Sequence, residues 1–268
     1  MHNSVHYTIN VHGKLLDLTE PKVMVVLNAT PDSFFAGSRM QTENDIARRA
    51  NEIMEQGGTI IDVGAYSTRP GATDVSQEEE MARLRMALTV VRREQPEAVV
   101  SVDTFRADVA CMCVEEYGVG IVNDVSEMSD KSMPRMVARL GVPYILMSVK
   151  PALREMLIGL AEKVQMLRNC GAKDIIIDPG FGFGKTLEQN YQLMSRMEQL
   201  QVLGLPLLVG VSRKSMIYKC LGTTPAEALN GTTVLNTLAL TKGANILRVH
   251  DVPEAVEVVK MRNSMLNS

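Results

Sequence analysis

The stretch DIIIDPG, Asp174–Gly180, decides the fold: three successive isoleucines with nothing polar between them, then a carboxylate, a proline and a glycine. A strand with one solvated face alternates apolar and polar residues. An unbroken apolar run is buried on both faces, as in a parallel sheet covered by helices. Working outward, the same pattern recurs at Val23–Asn28, Thr59–Gly64, Ala98–Asp103, Gly120–Val125, Pro143–Ser148, Asp174–Pro179, Pro206–Val211 and Ala244–His250. Amphipathic stretches long enough for crossover helices lie between these runs. Eight βα units in unbroken succession are the number at which a parallel sheet closes on itself. The expected fold is therefore α/β, a single (β/α)8 TIM barrel.

Helix ends support that division. Ser76 and Glu79 have the spacing of a capping box ahead of a helix ending near Glu94 and Pro96. Asp251 is placed to cap the last helix, with Pro253 in its first turn. Gly57-Gly58, Gly118 and Gly171 stand where a left-handed residue closes a helix before the next strand. Tyr7–Val11 and Lys14–Leu18, joined at His12-Gly13, read as a β-hairpin plugging the barrel's N-terminal end. One domain is expected over 1–268, with the hairpin in 1–20 and the barrel in 21–268.

A formal net charge of −3 gives no general attraction to nucleic acid or to an anionic membrane, so local cations must hold any anionic ligand. No apolar run approaches the ~20 residues of a membrane span. The N-terminus shows no secretory pattern, and a cytoplasmic location is expected. Cys111, Cys113, Cys170 and Cys220 lie without CxxC spacing and read as small buried hydrophobes in a reducing compartment. Arg92-Arg93 reads as a solvated helix face.

Barrel chemistry belongs to the C-terminal strand ends. Read in order, those ends carry Asn28, Asp62, Asp103, Asn123 with Asp124, Ser148, Asp178, Ser212-Arg213-Lys214, and Arg248 with His250. Carboxylates at the tails of apolar strands are costly to bury unless paired or bound to a ligand. Three loops add to the ring. Asn28–Phe34 is long and polar with an aromatic end, Ser67–Gly71 supplies hydroxyls and the Arg69 guanidinium for phosphate, and Asp178–Lys185 is dense in glycine. The last is no Walker loop, because residue 179, where the first glycine would stand, is proline. Zinc is excluded for want of a His/Cys set, since His250 alone of the four histidines lies near the ring.

LNATPDSF (27–34), IIDVGAYSTRPGA (60–72), SVDTF (101–105), IVND (121–124), IIDPGFGFGK (176–185), LLVGVSRKS (207–215) and LRVHD (247–251), taken together, resemble dihydropteroate synthase, a pterin-binding barrel family. The resemblance runs from Val23 to the last helix. It implies condensation of 6-hydroxymethyl-dihydropterin diphosphate with p-aminobenzoate and release of pyrophosphate. It further implies that Asp178, Asn123 and Asp103 read the pterin edge, where one ionised carboxylate can accept two adjacent donors. Lys214 matches the lysine donating to the pterin carbonyl, and Arg248 the arginine on the ring face.

For the diphosphate, the resemblance points to Thr68, Arg69, Arg248 and His250, with Asn28 on a Mg²⁺ ion. For p-aminobenzoate it points to Phe34, Pro70, Phe183, the Lys214 stem and Ser212. Asp103 and Asp32 would support positive charge developing on the methylene carbon, and the catalytic set is Asp32, Arg69, Asp103 and Lys214. It also implies a homodimer. Tyr66 departs from the family's usual glutamate, and Ser148-Val149 from a common His-Met pair. Asp62, Asp124 and Ser148 are read as scaffold, with Asp62 satisfying backbone donors or pairing with a neighbouring lysine or arginine. Two alternatives are a corrinoid-linked methyltransferase of the same superfamily and a non-catalytic pterin-binding paralogue.

Overall fold

The structure, a computed structural model, describes residues 6–29, 43–66 and 75–266. It opens with the expected hairpin. β1 (Thr8–Val11) pairs antiparallel with β2 (Lys14–Asp17), and the two turn residues, His12 (φ 50°) and Gly13 (φ 81°), both adopt the left-handed conformation a two-residue hairpin requires.

The barrel follows as β3 (Lys22–Asn28), α1 (Glu43–Glu55), β4 (Ile60–Gly64), α2 (Gln77–Glu94), β5 (Val99–Asp103), α3 (Ala107–Tyr117), β6 (Ile121–Asp124), α4 (Met133–Leu140), β7 (Tyr144–Met147), α5 (Leu153–Cys170), β8 (Ile175–Asp178), α6 (Leu187–Ser195), β9 (Leu208–Val209), α7 (Ser215–Leu221), α8 (Leu229–Thr241), β10 (Ile246–Val249) and α9 (Val252–Leu266). All pairings from β3 to β8, and of β10 with β3 and β9, are parallel. The ring closes where the Ile177 N–H donates to the Pro206 carbonyl at 3.0 Å, beside a parallel bridge from Ile177 to Leu207. Seven of the eight barrel strands fall inside the apolar runs of the sequence, and β3 begins one residue ahead of its run, at Lys22. β9 is the shortest, because Pro206 has no N–H to donate into the ladder.

Alternation along each strand then divides the residues between two cores. Outward side chains such as Val25, Val63, Val100 and Ile177 pack under the helices. Inward ones at the strand starts, Met24, Ile60, Ile121, Ile145, Ile176, Leu208 and Ile246, make a closed apolar floor. Ile9, Val11 and Leu18 of the hairpin cover that floor from below, so the N-terminal segment is the expected plug. Two residues further along, five of the eight strands turn the interior polar, at Asp62, Ser101, Asn123, Asp178 and Arg248.

Some local expectations are corrected. Ser76 accepts from the Glu79 N–H at 3.2 Å, but Glu79's carboxylate turns to Arg83, so only half of the box forms. Asp251 does not cap α9, because its two oxygens hold the Arg213 guanidinium, at 2.8 and 2.9 Å. Arg92 is half-buried and donates to the carbonyls of Tyr117, Ala98 and Gly118, which closes the end of α3; only Arg93 keeps a solvated face. Cys113 is buried as expected, whereas Cys220 is exposed and Cys111 and Cys170 are partly so. Cys170 and Cys220 stand in the last turns of α5 and α7, and Cys111 at mid-helix in α3.

Candidate active site

Inward positions at the C-terminal strand ends converge on one cluster. Arg248, from β10, donates from Nε to Asp62 Oδ2 at 2.7 Å and from Nη2 to Asp103 Oδ2 at 2.6 Å. The barrel's stagger permits this reach. Arg248 is in register with Met24 on β3, Asp62 with Val26, and Asp103, through Gly64, with Asn28, so one long side chain climbs past two rungs. Asp62 also accepts from Asn123 Nδ2 at 3.1 Å. Asp62 Oδ1 and Asn123 Oδ1 are buried and have no hydrogen-bond partner among the described residues. Buried acceptors left unpaired cost about 1–3 kcal/mol each, so this floor is built for a ligand that brings donors.

Burial pushes the Asp103 carboxyl up to about 7, against the downward pull of Arg248 and with Asp62, Asp124 and Glu80 adding to the rise. Burial likewise raises Asp178, offset by Lys214 and by the Gly180 N–H, which donates to Asp178 Oδ1 at 2.8 Å. Lys214 is pulled down to about 8 by burial, with Asp178 opposing. Its Nζ donates to the Phe181 carbonyl at 2.5 Å and lies 4.7 Å from the Phe183 ring centroid. Arg248 stays firmly protonated, because Asp62 and Asp103 outweigh its desolvation.

The glycine loop is what brings Lys214 to Asp178. Gly180 has φ 68°, and a Cβ there would stand 2.2 Å from the Ser148 carbonyl oxygen. Lys185 knits the loop by donating to the carbonyls of Ser148, Gly180 and Phe183 at 3.0–3.2 Å, a structural role outside the cluster. Gly180→Ala is expected to cost about 2 kcal/mol of stability and to lose ligand binding, since the strained backbone and the clash both fall on the turn next to Asp178. Thermal unfolding and ligand titration of the purified variant check this; an unchanged midpoint would remove the turn from the account.

Ser212 and His250 form a second pair, with Ser212 Oγ 3.0 Å from His250 Nδ1 and accepting from the His250 N–H at 3.2 Å. Arg213, between Ser212 and Lys214, turns away to Asp251 and the carbonyls of Pro225 and Ala226. Asp124 belongs to the scaffold, accepting from Tyr144 Oη at 2.6 Å and from Ser126, and Ser148 donates to Glu127 at 3.1 Å. Asp32, Phe34, Thr68, Arg69 and Pro70 lie outside the described residues. Sequence reasoning missed the buried Glu80, which accepts from Thr104 Oγ1 at 2.7 Å and from Arg106; a glutamate in a helix's first turn looks like any exposed dipole partner.

The model of the family described as pterin binding enzyme matches residues 24–250. The chain belongs to the dihydropteroate synthase family of pterin-binding enzymes. It is 37% identical to the dihydropteroate synthase of Escherichia coli over 96% of this chain and 95% of that one. Among solved structures it resembles Xanthomonas albilineans dihydropteroate synthase with 4-aminobenzoic acid, with a TM-score of 0.91 at 32% identity over 98% and 100% of the two chains. It also resembles the Coxiella burnetii dihydropteroate synthase in complex with pteroic acid, with a TM-score of 0.89 at 30% identity over 97% and 98%. The family is one of transferases, and the polar cluster lies at the barrel end where such barrels hold their chemistry.

Proposed function

We propose that this dihydropteroate synthase family member condenses 6-hydroxymethyl-7,8-dihydropterin diphosphate with p-aminobenzoate, giving 7,8-dihydropteroate and pyrophosphate for folate synthesis. The observation that carries the reading is the set of acceptors in the barrel: Asp178, Asn123 Oδ1 and Asp62 Oδ1, facing a lysine and an arginine in a buried space. A pterin offers adjacent N–H and NH2 donors to those acceptors and a ring carbonyl to Lys214. A methyltransferase using methyltetrahydrofolate would share that edge but has no use for Ser-Thr-Arg-Pro at 67–70 or Ser-Arg-Lys at 212–214, and a paralogue without activity has no reason to keep Asn28, Arg69 and Lys214.

In this reading Asp178 and Asn123 fix the ring, Lys214 donates to its carbonyl, and Arg248, held by two carboxylates, lies against the ring and the diphosphate. The C–O bond to the diphosphate breaks first, and the electron-rich ring carries the resulting positive charge. Asp103 supports that growing charge, a role the family resemblance extends to Asp32. The aniline nitrogen then forms the C–N bond and gives its proton to solvent, so no protein nucleophile takes part. Arg69, Thr68 and His250 hold the departing diphosphate; Phe34, Pro70, Phe183 and Ser212 line the slot for p-aminobenzoate.

Asn28 suits a Mg²⁺ ion. A Cβ on Gly64 would stand 3.6 Å from Asn28 Oδ1 and 3.4 Å from Asp103 Cβ, so the missing side chain leaves these two oxygen-bearing residues an open cradle. Such an ion takes few protein ligands, because it keeps its waters and is held by the substrate's phosphates, so a side-chain oxygen at Asn28 can contribute without a full protein cage. When bound, the ion supplies charge neutralisation on the leaving group. A homodimer in the cytoplasm is the setting we assign; among the described residues no helix is long and apolar enough to cross a membrane.

Incubation with the dihydropterin diphosphate, p-aminobenzoate and Mg²⁺ tests the reaction, with pyrophosphate release as the expected result. Tight pterin binding without release would favour the non-catalytic paralogue. The alkaline side of the pH profile is also set: Lys214 donates as an ammonium, so pterin affinity should fall as pH rises through about 8. A titration that stays flat up to about pH 9.5 would take the charged lysine out of pterin recognition.

A further inference from the structure

Sequence alone places Asp62 in the scaffold, yet its hydrogen bonds among the described residues both run to groups of the site. It is fully buried, and among the described residues its only hydrogen bonds run to Arg248 Nε and Asn123 Nδ2, at 2.7 and 3.1 Å, both onto the single oxygen Oδ2. A carboxylate kept only to balance a buried arginine would be redundant, because Asp103 already pairs with Arg248. Among the described residues of this cluster the three carboxyls Asp62, Asp103 and Asp178 outnumber the two cations Arg248 and Lys214, an excess of acids in a largely buried space. Such an excess costs stability and needs a reason other than folding.

We infer that Asp62 is a positioning residue that sets the hydrogen-bond polarity of the site floor. A carboxylate cannot donate, so Asn123 must turn its NH2 toward Asp62 and its Oδ1 toward the ligand space, where Oδ1 stands buried and unpaired among the described residues. The same carboxylate takes Arg248 by Nε while Asp103 takes Nη2, which fixes the plane of the guanidinium and leaves Nη1 without a hydrogen bond among the described residues. One side chain thus makes the asparagine an acceptor and the arginine an oriented donor. The ligand chemistry this selects is a flat heterocycle with adjacent N–H donors on one edge. The inference rests on the pterin reading above and says which residue imposes it.

Asp62→Asn tests it. The amide has nearly the same shape but can offer Asn123 a donor, letting that side chain flip, and it carries no charge to hold Arg248. We expect kcat/KM for the dihydropterin diphosphate to fall by about thirtyfold or more, mainly through KM. KM for p-aminobenzoate should stay within about twofold, and the thermal midpoint should stay level or rise as the surplus charge leaves. Introduced into an Arg248→Met background, Asp62→Asn should cost less than it does in the parent, because only its hold on Asn123 is then left to lose. Asp124→Asn serves as the comparison: a buried carboxylate bonded to Ser126 and Tyr144, expected to lose stability with turnover nearly intact. Activity of Asp62→Asn within about threefold of the parent would overturn the inference. So would a fall in midpoint with both KM values raised, since Asp62 would then be scaffold. If the parent protein itself releases no pyrophosphate, the fault lies with the pterin reading instead.

Discussion

Lys214→Ala is expected to lower kcat/KM by about 3 kcal/mol, roughly two orders of magnitude, while the barrel stays folded. The loss exceeds that of one hydrogen bond because Lys214 acts twice. Its ammonium donates to the ligand, and its charge also holds the neighbouring carboxyl ionised: burial raises the Asp178 pKa, and Lys214 is the main group opposing that rise. Without the lysine, Asp178 is drawn toward its neutral form and loses the acceptor that reads the pterin edge. Stability should change little, since Nζ sits on one loop carbonyl, at Phe181, in a segment also tied by Lys185. Steady-state kinetics with both substrates and a thermal melt check the two halves; near-normal turnover would sink the role given to Lys214.

The barrel was legible because burial on both faces removes polar residues from the strands, and DIIIDPG shows that more plainly than any other run. The residue types of the site were legible for the same reason: a carboxylate ending an apolar strand stands out. Who pairs with whom was not. Arg248 meets Asp62 and Asp103 only because the barrel's stagger lifts β4 and β5 relative to β10, and that register is a property of the closed sheet. Asp62 was accordingly set apart as scaffold although it touches two site residues. Arg92 and Asp251 failed for a related reason: long guanidinium groups seek carbonyls and carboxylates on neighbouring elements, which local helix rules do not see. The resemblance supplied the roles of Arg69, Thr68, Phe34, Pro70 and Asp32, residues whose order along the chain carries no geometry by itself.

Arg248→Met should cost about 3–5 kcal/mol of stability in addition to lost turnover. It leaves Asp62, fully buried, and Asp103 facing each other with their shared cation gone. The pH dependence gives the cause away. Arg248 is the chief influence lowering the Asp103 pKa, which already stands at about 7. In the variant that pKa moves further above its unfolded value, so over a widening range the folded protein keeps a proton that the unfolded chain has released. Stability tied to such a group is present at low pH and lost as pH rises through the folded pKa. The deficit of Arg248→Met should therefore shrink toward about pH 5 and deepen toward about pH 8. Denaturant melts at several pH values measure it. A deficit that is the same at every pH would mean that packing of the arginine stem, and not the stranded carboxylates, accounts for the loss. Adding Asp62→Asn should recover part of the stability, because one of the two facing charges is then removed while turnover stays low, which separates what this cluster does for the fold from what it does for the ligand.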